Sequence, residues 1–600
     1  MRVFTSIVLF ILLSILVSAQ QRNIRHKTPP KLDEPATVIE KKYLSDNFPL
    51  SNNYIPVETM TNAYSFAQIG ITPLYFDSYS GVLALVHRGW ADHYAKSSGE
   101  IWYNISTDFG ISWSRVPGSI DGTQLQTLGR YPNMSISNPT KGPISATRAF
   151  FVWPELKDAN DLGWLGYGAD QPAGLGSPYS ALDKSNGYYN TQMMAWADDK
   201  TQEVFWTSGF YPPTDVDAHL KLFKTDDFAT IDTLNPPQWS DSVFENGGNI
   251  GIGGCAFNGV QYVGAIGTFN ATLVPNPPPG GYLVGYSKST DQGKTWSSFK
   301  MADWRNITKF SHYETLFDFI NTDDLVSYQG SMGVDKNNHV HIIVSVTDTT
   351  TDINHGTNSI IDIFETDAGW DGTIVYSGLN TAYSSGPGLG LMGPNAELAF
   401  DSTHSVMAVQ FINTPASSAT RNDLFLTYKS ITDSVWSTPV NMTNSAATIN
   451  NTSAHLAPCL KKDGYQYTAF SAFCYSPIPY DSTYDGNNTA VLYCAPYSFT
   501  YGATGVNDHV NALNNFNLFQ NYPNPFNPGT TITYSLPQRN NVSLKVYDVL
   551  GREIANLVDA MQEAGSHSVN FNASKLATGL YIYTLRSGNN TISKKMMLIK

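Results

Sequence analysis

The sequence predicts an all-β chain: a long array of strand–turn–strand units over residues 62–500, then a small β-sandwich over 516–600. Three observations carry this. Residues 106–113 (Ser-Thr-Asp-Phe-Gly-Ile-Ser-Trp) and 289–296 (Ser-Thr-Asp-Gln-Gly-Lys-Thr-Trp) are one pattern, S-T-D-x-G-x-[ST]-W, written at two distant places. Residues 72–87, 331–345 and 395–411 each read strand, polar turn, strand. Near the C-terminus Val542, Leu544 and Val546 alternate with polar Ser543 and Lys545, and Tyr581, Tyr583 and Leu585 repeat the alternation, the period of a strand with one buried face.

The elements follow in chain order. Arg2, the apolar run Ile7 to Val17 and the small residues Val17-Ser18-Ala19 read as a signal peptide over 1–19, cut before Gln20. That run is shorter than the ~20 apolar residues a membrane span needs, and no later segment qualifies, so no transmembrane anchor is expected. Residues 20–61 read as a polar leader of mixed charge. Repeat units are expected near 66–118, 129–175, 187–240, 246–300, 325–378, 393–442 and 453–500, with 501–515 as a linker. Pro523, Pro525 and Pro528 cannot sit inside a central strand, so 521–529 should be an extended entrance to about seven short strands of an immunoglobulin-like sandwich.

The repeated pattern has a structural rationale. A Ser hydroxyl and an Asp carboxylate accept turn N–H groups, Gly supplies a backbone angle that other residues resist, and Trp folds back over the hairpin. Ser106, Asp108, Gly110 and Trp113 in one copy, and Ser289, Asp291, Gly293 and Trp296 in the other, are therefore read as structural. Weaker copies occur at Lys224-Thr-Asp226, Glu365-Thr-Asp367 and Ser430 to Trp436. The two full copies resemble Asp boxes, the hairpins of sialidase-type β-propellers also called BNR repeats. The resemblance implies a propeller of seven blades, within a range of six to eight, with these hairpins at its rim and any ligand at the mouth of its central channel.

The C-terminal segment carries a second resemblance. Asn517-Leu-Phe-Gln-Asn-Tyr-Pro-Asn-Pro-Phe-Asn-Pro528, Val542 to Arg552, Gly579 to Leu585 and the closing Lys594-Lys-Met-Met-Leu-Ile-Lys600 are similar to the C-terminal sorting domain of the type IX secretion system. This implies that residues 516–600 are a partner of that machinery and that the chain is exported to the outer cell surface or secreted.

Chemistry is less sharply written. In the sialidase family a Phe/Tyr-Arg-x-Pro motif supplies one of three arginines; Arg115-Val-Pro117 and Arg130-Tyr-Pro132 keep only its second half, so no arginine inherits that role. Residues 153–179 read as a long insertion at the channel mouth, with Trp153, Trp164, Tyr167 and Asp161 as candidate ligand-binding residues for a carbohydrate. Glu155, Asp158, Asp161, Glu314 and Asp318 are candidate carboxylates for a glycosidase, without an assigned catalytic pair. His341 and His404 read as solvated turn residues. No metal-ligand spacing, EF-hand or G-x-S-x-G elbow is present, and no cofactor is expected. Loop 348–358 remains open to calcium. Cys459, Cys474 and Cys494 lie within one stretch where a disulfide is expected, with Cys255 apart.

Composition bounds the function. The chain has 600 residues, 14% charged and 13% aromatic, and a formal net charge of -14. That balance, without a Lys/Arg cluster, excludes a nucleic-acid partner. The expected function is binding of extracellular glycan or protein, with a propeller glycoside hydrolase and a structural or adhesive surface protein as alternatives.

Overall fold

The computed structural model describes residues 54–61, 71–89, 100–121, 129–156, 162–184, 188–211, 219–227, 230–235, 253–268, 282–315, 330–348, 358–379, 395–414, 422–443, 449–477, 489–501, 517–518, 521, 526–536, 539–562, 565–588 and 590–598. They form strands, turns and short 3-10 segments, with no α-helix among the described residues. Before the C-terminal domain, four sheets have four strands, one has five and one has nine.

Sheet I is a simple antiparallel meander of Leu74–Phe76, Leu83–Gly89, Glu100–Ser106 and Ser114–Arg115. Sheets II, III and IV repeat it, from Asn133–Ser137 to Tyr179–Asp183, Tyr188–Ala197 to Asp232–Leu234, and Gly253–Phe257 to Lys300–Ala302. Sheet V runs from Gly330–Val334 to Gly369–Leu379, with Tyr313–Thr315 added against Val340–Asp348. The nine-stranded sheet divides where Phe400 and Asp401 pair in parallel with Cys459 and Leu460. On one side is meander VI, Glu397–Asp401 to Val440–Asn441. On the other is VII, made of Cys459–Asp463, Gln466–Pro477 and Thr489–Thr500, with Ile449–Leu456 added against Gln466–Pro477.

Meander VII is completed from the far end of the chain. Ile55–Thr61 pairs antiparallel with Thr489–Thr500, Ile55 opposite Cys494 and Thr61 opposite Thr489. The expected polar leader thus ends in a strand. Its two-faced role explains why composition hid it: Glu58 reaches Arg115 of sheet I at 3.9 Å, while Tyr54 buries its ring against Phe473 and Tyr493.

The core is divided among the gaps between successive meanders. Ala84, Val86, Tyr103, Phe151 and Trp153 fill the gap between I and II, and Phe150, Val152, Trp206 and Phe223 the gap between II and III. The series ends with Leu74, Leu83 and Leu85 of sheet I against Phe470, Ala472 and Leu492 of sheet VII. The first strands contact one another in the same order, and that of VII meets that of I. Second strands are accordingly buried on both faces; every residue of Leu83–Gly89 and Val406–Asn413 is buried.

In sheets I, III, V and VI the turn after the first strand is a small polar device centred on an Asp. Asp335 accepts from the N–H groups of Asn337 and His339 at 2.8 and 2.9 Å, and Asp401 from those of Ser405 and Val406 at 2.8 Å each. Asp77 and Asp198 act alike on Ser80 and Thr201. Neighbouring tips are tied together. Asn138 donates to Asp77 at 2.8 Å, Asn258 donates to Asp199 at 2.9 Å, and Lys462 donates to Asp401 at 3.0 Å.

The two S-T-D-x-G-x-[ST]-W segments fold identically, each joining the third and fourth strands of its sheet. Ser106 Oγ donates to Asp108 at 2.8 Å and accepts from Gly110 N at 2.8 Å; Asp108 accepts from Ser112 N at 2.9 Å and Ser112 Oγ at 2.6 Å. Ser289, Asp291, Gly293 and Thr295 repeat these bonds at 2.8, 2.9, 2.9 and 2.6 Å. Trp113 and Trp296 donate to the carbonyls of Gly110 and Gly293. Both glycines have φ near +80° (84° and 78°), and a Cβ on Gly293 would lie 2.8 Å from Leu234 of the preceding sheet. In the weak copy of sheet III it is Asp227, not Asp226, that accepts from Thr230 N and Oγ1, at 2.8 Å each.

Between V and VI lies a buried ionic chain. Lys429 Nζ, 1% exposed, is 3.1 Å from Asp362, whose other oxygen faces His341 Nδ1 at 2.9 Å. Phe364 and Trp436 flank the ammonium at 5.2 and 4.9 Å. Burial pushes the Asp362 carboxyl up, but the His341 and Lys429 charges outweigh it and hold it below the usual range. His341 is therefore a core residue, which corrects the solvated-turn expectation for it; His404 does lie in its turn but is half-buried there, its ring 4.1 Å from the Phe257 ring.

All four cysteines are free, which corrects the expected disulfide. Cys494 pairs with Ala472 and Cys474 with Leu492, so these two thiols sit diagonally across neighbouring strands. Burial raises Cys255 and Cys459 to about 12, leaving them protonated and unreactive.

The C-terminal domain has two sheets over one core. One joins Asn517–Leu518, Gly529–Leu536 and Gly565–Asn572; the other is ordered Glu553–Gln562, Asn540–Asp548, Gly579–Ser587, Asn590–Leu598. Val542, Leu544, Val546, Tyr583 and Leu585 of the second meet Ile532, Tyr534 and Phe571 of the first, as the alternation predicts.

Three expectations follow for stability. A chain beginning at Asn53 keeps the melting temperature of one beginning at Gln20, while one beginning at Asn62 melts lower and aggregates through the bared edge of VII; calorimetry and light scattering decide it. Asp362→Ala strands the Lys429 charge and costs about 3–5 kcal/mol in urea unfolding. Asp291, lowered to about 2 by its bonds from Thr295 and Ser289, stabilises the fold above the unfolded carboxylate range and loses that contribution as pH falls through about 2. Asp291→Asn therefore lowers neutral-pH stability and flattens the acid limb; an unchanged acid limb would refute the assignment.

Candidate functional site

The strongest cluster of charged groups lies between sheets I and II, at the end of the sheets opposite the first turns. Each second strand runs away from its first turn, so its last residues reach that end. In Leu83–Gly89 the row Ala84, Val86, Arg88 faces sheet II; in Arg148–Leu156 the row Phe151, Trp153, Glu155 faces sheet I. Strand alternation thus turns Arg88 and Glu155 into one gap. Arg130 precedes the first strand of II, its backbone N–H 3.0 Å from Pro154 O beside the Gly129–Glu155 bridge. Asp121 follows the last strand of I and accepts from Ile101 N at 3.0 Å.

All four side chains are buried: Arg88, Asp121 and Glu155 at 0% exposure and Arg130 at 3%. Glu155 accepts from Trp153 Nε1 at 2.7 Å. Asp121 Oδ2 has no hydrogen-bond partner among the described residues. Burial, then the Glu155 charge, raises the Asp121 carboxyl well above the usual range, which favours its protonated form. A carboxyl so raised is suited to donating a proton, which is what Asp121 could do beside a second acid.

The predicted ligand residues are divided by this geometry. Residues 153–179 are not an insertion: they are mostly the strands Arg148–Leu156 and Leu162–Asp170 with a turn, because Trp, Gly and Tyr alternate here between two buried faces. Trp153 is 0% exposed, its indole lying where a Cβ on Gly166 would sit, so it supports Glu155 and offers no open ring face. Trp164 pairs directly with Glu155, is half-buried on the same side, and has Lys184 Nζ 4.5 Å over its ring. Tyr167 turns to the other face, into the II–III core. Asp161, Asp158, Asp318 and the side chain of Glu314 lie outside the described residues, as does most of the loop considered for calcium. Asp108 and Asp291 are at the opposite end from Glu155, held within their own turns. No group of three or more His, Cys, Asp or Glu among the described residues could hold a metal ion.

Of the clustered residues, Asp121 was missed; it follows a two-residue strand and precedes an irregular segment, and no pattern marks it. Arg88 carried a usable signal, being the charged member of an otherwise apolar alternating row.

Comparison with known proteins bears on the two halves unequally. No curated protein matches the chain. Among solved structures, an ulvan lyase bound to GlcA(1-4)Rha3S is 11% identical, covering 75% of this chain and 96% of its own, with a TM-score of 0.40. An α-L-arabinanase of Penicillium chrysogenum is 9% identical over 61% and 92%, at 0.32. PorZ, a surface component of the type IX secretion system of Porphyromonas gingivalis, is 10% identical over 88% and 75%, at 0.24. At these scores the likeness identifies no shared activity. Residues 520–600, in contrast, match the family model of the secretion system C-terminal sorting domain, so the chain ends in a type IX sorting domain and is a protein exported to the cell surface or beyond it.

Proposed function

We propose that meanders I to VII are the blades of a seven-bladed, Asp-box propeller, and that this exported propeller binds extracellular glycan at the I–II gap. The cyclic order of contacts between first strands, together with completion of VII by Ile55–Thr61, supports the blade count. The observation that carries the binding reading is the burial of Arg88, Asp121 and Glu155 in one gap beside the half-buried Trp164. Arginines and carboxylates hydrogen-bond sugar hydroxyls, and an indole face accepts the C–H face of a sugar ring.

A glycoside hydrolase is the second reading, favoured by one observation: two acids, Asp121 and Glu155, are buried side by side, and burial and the Glu155 charge raise the Asp121 carboxyl. Such chemistry needs an acid and a base or nucleophile.

Both readings are tested on the chain from Gln20 to Thr500 with a panel of native polysaccharides and chromogenic glycosides. The binding reading expects retention on at least one polysaccharide without release of reducing sugar, weakened tenfold or more by Glu155→Gln and by Trp164→Ala. Turnover abolished by Asp121→Asn and by Glu155→Gln would move the assignment to the hydrolase. Neither binding nor turnover, with the chain folded, would leave a structural or adhesive role.

A further inference from the structure

The sorting domain has a face its own fold does not use. In the four-stranded sheet, Val542, Leu544 and Val546 point into the core, so Lys545 and Tyr547 point outward; on the next strand Leu580, Ile582 and Arg586 do so, and on the edge strand Lys595 and Met597. Register places Tyr547 beside Ile582 and Ile582 beside Lys595, with Leu580 opposite Met597 in the adjoining row. Apolar side chains thus cluster at one end of the outer face. Met597 is 38% exposed, and Tyr547, Leu580 and Ile582 are half-buried.

At that same end, the turn after Asn540–Asp548 holds Val549 and Leu550 at 63% and 75% exposure. This turn is rigid. Asp548 accepts from Leu550 N and Arg552 N at 2.9 Å each and from Arg552 Nε at 2.7 Å, and its own N–H reaches Arg552 O at 3.0 Å. A turn so tied holds its two apolar side chains in water instead of letting them fold back, leaving their burial free energy unrealised in the isolated chain. The surroundings are basic. Between residues 516 and 600 there are eight Lys and Arg against four Asp and Glu, in a chain whose net charge is -14.

We propose that this outer face, Tyr547, Val549, Leu550, Leu580, Ile582 and Met597 rimmed by Arg586 and Lys595, is the surface by which a protein of the secretion machinery holds the domain; Lys545 on the same face is already paired with Glu553 at 2.9 Å. The occupant is a protein with an apolar groove and an acidic rim. It rests on the sorting-domain assignment, which already requires that some surface of residues 520–600 be read by that machinery. Of the surfaces described here, this one combines exposed apolar area, a fixed shape and a charge opposite to the rest of the chain, the features of a recognition patch.

The test uses the full chain in a bacterium that carries the secretion system, measuring protein outside the cell against protein retained in the periplasm. A chain ending at Asn515 is retained if the sorting assignment is right; its export would overturn that assignment, and the proposal with it. Val549→Ser with Leu550→Ser changes only exposed side chains, so the purified protein should keep its melting temperature while export falls at least tenfold. Export at the normal level by this folded variant overturns the proposal. Arg586→Glu with Lys595→Glu leaves the apolar residues in place and tests the rim independently should the first pair unfold: retention is expected, and normal export overturns it. Should the purified chain instead form a dimer that the serine pair dissolves without loss of export, the face belongs to a second copy and the proposal is likewise overturned.

Discussion

Everything described before residue 501 depends on a pairing between the two ends of the array. The C-terminal side of sheet VII ends at Thr489–Thr500, and Ile55–Thr61 supplies its outer edge. Bringing Ile55 to Cys494 closes a loop of more than four hundred residues, an entropy cost on the order of 5 kcal/mol by the logarithmic rule. The gap between VII and I, filled by Leu83, Leu85, Phe470 and Leu492, can form only once that loop is closed, so closure and packing must be cooperative. Each other gap is filled by meanders adjacent in sequence. The fold concentrates its long-range cost in a single joint.

The two ends of the sheets use polar residues in opposite ways. At the first-turn end, Asp77, Asp198, Asp335 and Asp401 direct their carboxylates at local N–H groups and at ties to the next tip, which leaves these acids occupied by structure and chemically quiet. In the V–VI gap the Asp362 carboxylate is held between the charges of Lys429 and His341. At the other end Asp121 has an oxygen with nothing to bind among the described residues, and it sits against a second acid. A polar group left unsatisfied in a low-dielectric gap destabilises the fold, and that penalty is what separates a site from a clamp.

Legibility in the sequence followed the reach of the interactions. The Asp-type hairpins were readable because their bonds span at most four residues, as in Ser106 to Gly110. The C-terminal domain was readable because its alternation is clean and one face of each sheet is wet. Residues 153–179 misled because sheet II is buried on both faces, so Trp, Gly and Tyr follow no inside–outside rhythm, and glycines that look like loop residues are there to admit Trp153. Ile55–Thr61, the burial of His341 and the separation of Cys474 from Cys494 all depend on partners far along the chain, which local pattern does not encode. The Lys-rich outer face of the sorting domain was visible only as a charge count until register showed which residues share a side.

Ile55 enters sheet VII opposite Cys494, from the end toward which Thr489–Thr500 runs on its way to the sorting domain. Leader and sorting domain therefore depart from neighbouring strands at the same end of one sheet. A pull exerted between them would not shear this pairing along its length; it would unzip it one hydrogen-bonded rung at a time, beginning at Ile55. Mechanically, the joint that closes the array yields most easily along the very axis on which a tether at one terminus and a grip at the other would load it.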